Sequence, residues 1–243
     1  MRKFLLLSAL SLSISAFSNL TIAQSLDDIL QNYYEVIGDA DDWARLGNLR
    51  MTGTALAQGF SIPMTMHQAR PNKMRMEMDI QGQKMIQAFD GETAWGLNPM
   101  AGQTEPTKGT DEENKQSAAQ SVFEDELVNY QEKGHTAQLE GTEEIEGTMC
   151  FRVALTKKDG MKMTYFIDQE TYALVMYRTA LDSGPMKGQA IESYLSDYQE
   201  VEGVMMPHSI EQKVSGMTMW KMVVDRMEAN VDVSDDLFAF PKG

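Results

Sequence analysis

The chain has 243 residues, 42% of them hydrophobic, and a formal net charge of −15. So acidic a surface excludes nucleic acid as a partner and disfavours loose adhesion to anionic lipid headgroups. Cys150 is the only cysteine, so an intrachain disulfide is excluded and burial must hold the fold together. Between Met149 and Phe151 it reads as a small buried residue.

Residues 1–23 read as a secretory signal peptide. Arg2 and Lys3 open it, an apolar run follows from Phe4 to Phe17, and Thr21-Ile22-Ala23 is a small-residue cleavage site. The run is too short and serine-rich for a membrane anchor, and no cysteine stands at the cleavage point to be lipidated. The expected product is a soluble exported protein comprising one domain, 24–243. Its start predicts a helix: Ser25 is the N-cap, Asp27 and Asp28 face the positive end of the dipole, and Gly38 is the stop. Leu26, Ile29, Leu30, Tyr33 and Ile37 recur at helical spacing and require a surface to cover.

From Leu49 the period changes to two. Strands are predicted at 49–58, 62–69, 73–80, 83–89 and 93–97, separated by Gly59, Pro71-Asn72, Gln81-Gly82 and Asp90-Gly91. Residues 101–118 are polar and read as a mobile loop. Val122, Phe123, Leu127 and Tyr130 then suggest a second short helix. Strands resume at 136–144, 149–156, 162–168, 173–180, 190–200, 207–214 and 217–228. Short strands joined by tight turns predict a mainly β protein, a single curved antiparallel sheet with two helical pieces to close over it.

The chain carries 20 Met against 9 Phe, and several alternate along strands: Met64/Met66, Met74/Met76/Met78, Met161/Met163 and Met217/Met219. Core packing explains such rows without any ligand, at about 1.5–3 kcal/mol per buried side chain. A flexible, polarizable thioether also suits a cavity that must accept varied apolar ligands. A Cu(I) site is a third reading, with His67 following Met64 and Met66, and His208 near Met205 and Met206. The three histidines lack metal-ligand spacing, and no nucleophile elbow, P-loop or zinc helix occurs, so neither an enzyme nor a cofactor is expected.

Two segments carry more than periodicity. ARPN at 69–72 leads into the Met strand KMRMEMD, and FDGETAWGLNP at 89–99 follows the next hairpin. With the C-terminal LFAFPKG at 237–243, they resemble the LolA family of periplasmic lipoprotein carriers. The resemblance implies an unclosed, half β-barrel with helical lids, an acyl-chain cavity, and a closing C-terminal strand. It places Arg70 as the latch that hydrogen-bonds lid carbonyls, and Met74 and Met76 where the family has aromatics. Met64, Met66, Met78, Phe89 and Trp95 would complete the cavity. Leu26, Ile29, Leu30 and Tyr33, with Phe123 and Leu127 on the second helix, would form the lid undersides. The implied function is that of a periplasmic, monomeric, non-enzymatic carrier of acylated lipoproteins. It would work between an inner-membrane release complex and an outer-membrane acceptor. The alternatives are a protein of this fold that binds or senses another lipid, or a Cu(I)-binding protein.

Overall fold

The computed structural model describes residues 24–181 and 187–241, so the expected signal peptide and the last two residues of the closing motif lie outside it. Helix α1, Leu26–Ile37, begins where expected: the Ser25 side chain accepts from the Asp28 amide while Asp28 reaches back to the Ser25 amide. This reciprocal box satisfies two orphan donors of the first turn. Gly38 ends the helix at a positive φ of 97°. A short second helix, α2 (Ala40–Ala44), follows under an Asp39/Asp42 box and buries Trp43.

Thirteen strands form one antiparallel sheet. The first six are β1 (Asn48–Ala57), β2 (Phe60–Ala69), β3 (Lys73–Ile80), β4 (Gln83–Phe89), β5 (Ala94–Leu97) and β6 (Thr107–Lys108). The others are β7 (Thr136–Ile145), β8 (Thr148–Thr156), β9 (Lys162–Asp168), β10 (Leu174–Ala180), β11 (Ala190–Val201), β12 (Val204–Val214) and β13 (Met217–Ala229). Their order is β6-β5-β4-β3-β2-β1-β13-β12-β11-β10-β9-β8-β7. The edges β6 and β7 do not pair with each other, so the sheet is an unclosed barrel. The β1–β13 pair joins its two halves, and a register shift at Thr52/Gly53 bends it there. A Cβ on Gly53 would stand 2.1 Å from the Val223 carbonyl oxygen, so only glycine allows that approach.

The halves are covered differently. On the inner face of β8–β12, α1 lays Ile29, Leu30, Tyr33 and Ile37 against Val153, Leu155, Tyr165, Ile167, Val204 and Met206 in the main core. The inner face of β1–β3, β12 and β13 holds a second cluster, built on Met51, Met64, Met222 and Val224. A third lies on the outer face, where Ile145 packs with Cys150, Phe166 and Met176.

Three expectations fail on connections. Residues 101–118 are not simply a loop: they hold β6 and a third helix, α3 (Asp111–Gln120), started by a Thr110/Glu113 box. The expected second helix at Val122–Tyr130 is instead a chain of turns, because the buried Leu127 and Val128 fix the segment from below without helical spacing. The C-terminal motif is not a closing strand: a 3-10 turn, Asp235–Leu237, leads into it, and its described residues 238–241 pair with no strand.

Candidate functional site

The alternating methionines meet across strands. Met66 stands opposite Met76 and Met51, Met64 opposite Met78, Met51 opposite Met227, and Met222 opposite Ala55 and Ile210. Directly opposed side chains in antiparallel strands have Cβ atoms about 4.5–5.5 Å apart. The result is a thioether floor across β3, β2, β1 and β13. Met51, Met64 and Met222 are buried, while Met66, Met76, Met78, Trp220 and Ile210 are half-buried. Met74 and Phe89 oppose each other at one end of the floor and are fully covered.

The floor is not covered by α1. The underside residues Ile29, Leu30, Tyr33 and Leu127 belong to the packed core over the other half of the sheet, with Leu26 and Phe123 at its margin. Helix α3 instead lies over β3–β5 and buries none of its own side chains. It is tied by polar contacts: the Gln68 side chain donates to the Gln120 carbonyl at 3.2 Å, and the Ala94 amide donates to Asn114 at 2.7 Å. Between α3 and β3–β6 lies a cavity of about 460 Å³ reaching Met74, Met85, Gln87, Ala94, Gln116 and Gln120. That falls within the range of about 300–1,000 Å³ usual for ligand pockets. A larger hollow of about 650 Å³ sits on the far side of α1, among Asp27, Gln31, Glu35 and Asp42. Leu30, Tyr34, Val36 and Tyr130 complete its lining, and it does not adjoin the methionine floor.

Arg70 donates to the carbonyls of Leu46 at 2.9 Å and Trp43 at 3.0 Å, and to Glu124 at 2.9 Å, with its guanidinium 5.2 Å from the Phe123 ring. It therefore joins the end of α2 to the segment leaving α3, and does not touch α1. Residues 124–126 form a strap of three carboxylates. Glu124 also receives Lys133 at 2.9 Å. Burial alone would raise its carboxyl, but hydrogen bonds from Lys133 and Arg70 reverse this and hold it below the usual range. Asp125 receives the Tyr33 hydroxyl at 2.9 Å and the Leu127 amide at 2.7 Å. Here burial wins, and the Asp125 carboxyl is raised. Glu126 pairs with Lys157 and with His135. The strap thus ties α1, β8 and the 129–135 turns together.

Two assignments are corrected. Trp95 is opposite Ala88, which is opposite Arg75, so it shares the outer face and not the floor. There its indole donates to the Phe238 carbonyl at 2.7 Å, under Arg75 and beside Phe240, and anchors the C-terminal segment. His67 pairs with Arg50 and Arg75 on that outer face, away from Met64 and Met66, so Met-x-Met-His cannot converge on a copper ion. His208 donates from Nδ1 to the Met206 carbonyl at 3.1 Å within the core. Among the described residues no group of three His, Cys, Asp or Glu is placed to hold a metal. Met51, Met222, Met227, Gln68 and Asn114 were not singled out by sequence. The first three stand at spacings that no single strand's pattern reveals, and the last two matter only through α3.

No family model matches the sequence, and no curated protein matches it. Solved structures do. A LolA superfamily protein from Nitrosomonas europaea is 13% identical, covering 89% of this chain and 98% of its own, with a TM-score of 0.53. A DUF1329 family protein from Desulfovibrio piger is 10% identical over 89% and 98%, with a TM-score of 0.56. An outer membrane lipoprotein-sorting protein domain from Vibrio parahaemolyticus is 11% identical over 87% and 94%, with a TM-score of 0.53.

Proposed function

With the LolA-like fold as the premise, we propose that this protein is a non-enzymatic periplasmic carrier, which shelters the acyl chains of lipoproteins against its methionine floor and ferries them towards the outer membrane. The observation that carries this reading is the floor itself: half-buried thioethers from adjacent strands, beside a cavity roofed by a helix that buries nothing. Each methylene removed from water contributes about 0.8 kcal/mol, so a chain of about sixteen carbons is held back from solution by roughly 12 kcal/mol. A carrier must cover such a chain without a jigsaw fit, or it could not let go. Flexible methionine meets that need where aromatics or branched side chains would impose one shape.

The covers divide the work. Lifting α1 would expose Ile29, Leu30, Tyr33 and Ile37, at about 1.5–3 kcal/mol each, so α1 stays down. Lifting α3 breaks a few hydrogen bonds, each worth about 0.5–1.5 kcal/mol net. In this proposal α3 is the moving lid, and Arg70 holds the strap on which it swings.

The test is extraction. Residues 24–243 are added to spheroplasts of the host, and the supernatant is examined by native mass spectrometry. A 1:1 complex with acylated lipoprotein, lost in the Met66→Glu/Met76→Glu variant, is the expected result. Free lipid without lipoprotein would move the function to binding another hydrophobic ligand. An empty protein would return the methionines to core packing.

A further inference from the structure

The hairpins of the sheet alternate between two rims. The turns after β1, β3, β5, β8 and β12 stand at one rim, and those after β2, β4, β9 and β11 stand at the other, with α2 and residues 230–241. Eight large apolar side chains are exposed among the described residues, and six belong to the first rim: Leu56, Phe60, Met100, Met161, Met217 and Met219. Phe60 and Met217 are the most open, at 62% and 67%. Because β1 pairs with both β2 and β13, the Leu56–Phe60 and Met217–Met219 tips stand side by side, and Leu56 lies opposite Ser61 on one flank and Lys221 on the other.

Charge follows the same axis. Residues 56–61, 80–83 and 214–219 contain no charged side chain, in a chain that is 23% charged. These are the tips of neighbouring hairpins, those of β1–β2, β3–β4 and β12–β13. Lys84, Lys213 and Lys221 flank them, each beside a carboxylate: Lys84 pairs with Glu77 at 3.2 Å and Lys213 with Glu146 at 2.7 Å, and Lys221 lies opposite Glu211. The opposite rim carries Asp90, Glu92, Glu170, Glu202, Asp235 and Asp236. The net charge predicts repulsion from an anionic surface, but these six carboxylates sit at the pole that would face away from it, and on the first rim Asp79, Glu105 and Asp159 lie outside the three uncharged tips. Exposed apolar tips free of charge are the features that partition into a headgroup layer.

We propose that these uncharged hairpin tips dock on the surface of a lipid bilayer through Phe60, Leu56, Met217 and Met219, with the acidic rim pointing into solution. The inference rests on the acyl-carrier reading, because the methionine floor runs along β1, β2 and β13 to these same tips, and a docked rim opens that floor towards the source of its ligand.

The experiment is flotation of residues 24–243 with vesicles of phosphatidylethanolamine and phosphatidylglycerol at 3:1, beside displacement of a fluorescent fatty acid as a separate reading of the floor. Wild type is expected to float with the vesicles. Phe60→Asp/Met217→Asp should lower the bound fraction about tenfold or more while leaving the fatty-acid affinity and the circular dichroism unchanged. Met149→Asp, at an exposed methionine of the β7–β8 hairpin outside the three tips, should float like wild type. Wild type that binds the fatty acid but does not float would overturn the docking and leave the carrier reading standing. Flotation that persists in the double variant would also overturn it. So would self-association in sedimentation that the double variant abolishes, since a second copy would then be what covers the tips. Flotation without fatty-acid binding would sink the carrier reading alone.

Discussion

Removing the tethers of α3 offers the most direct trial of how this protein opens. In Asn114→Ala the Ala94 amide loses its 2.7 Å acceptor, and in Gln68→Ala the Gln120 carbonyl loses its donor. Each lost bond costs about 0.5–1.5 kcal/mol, and more if the amide is left without water, so the double variant should loosen α3 by roughly 1–3 kcal/mol. Helix α1 buries four residues worth about 6–12 kcal/mol together, adds the Tyr33–Asp125 bond and the Tyr34 bond to the Leu127 carbonyl, and shares none of these groups with α3. Native-state hydrogen exchange read by mass spectrometry separates the two. In wild type the α3 amides should exchange through local opening and those of α1 close to global unfolding. The double variant should speed α3 by about 5- to 100-fold, taking 1.4 kcal/mol per decade, and leave α1 within a factor of about two. Equal protection of the two helices in wild type, or equal acceleration in the variant, would refute the assignment of α3 as the moving cover.

Three further outcomes follow from the site. Arg70→Leu removes three hydrogen bonds and leaves Glu124 with Lys133 alone; urea denaturation should show a loss of about 2–4 kcal/mol with the fold retained, and cargo uptake or release should fail. A loss below about 0.5 kcal/mol would show that Arg70 holds nothing. Asp125→Asn keeps an acceptor for the Leu127 amide and a partner for the Tyr33 hydroxyl while removing an ionised group. Because the folded carboxyl is raised, its favourable contribution is complete below the ordinary Asp range near about 4 and is lost as pH rises through the folded value. The variant should therefore equal or exceed wild-type stability at pH 7, and acidification towards pH 4 should narrow the gap; a gap that widens on acidification contradicts the sign. Trp95→Ala should destabilise by about 3–5 kcal/mol and free the C-terminal segment to proteolysis, without changing fatty-acid affinity; a change in affinity would put Trp95 back on the floor.

Much of this architecture is local and therefore legible. Alternation at 73–80 or 149–156 marks a strand because the side-chain period is two, and Ser25 with Asp28 marks a helix start because the first amides need acceptors. The same signal stands in Thr110-x-x-Glu113, inside a polar stretch whose Gly, Pro and Thr read as a loop; a capped helix needs no apolar stripe to form, only to bury itself. What the sequence could not decide is which face meets which cover. Trp95 and Phe89 sit in one contiguous motif, yet the β4–β5 hairpin puts them on opposite faces, since parity across a turn depends on its register. Arg70 was legible as a donor, but its acceptors at Leu46, Trp43 and Glu124 come together only when the sheet has curled. Periodicity is set by neighbours in sequence; the methionine floor and its uncovered half are set by β1 pairing with β13, a contact across almost the whole chain.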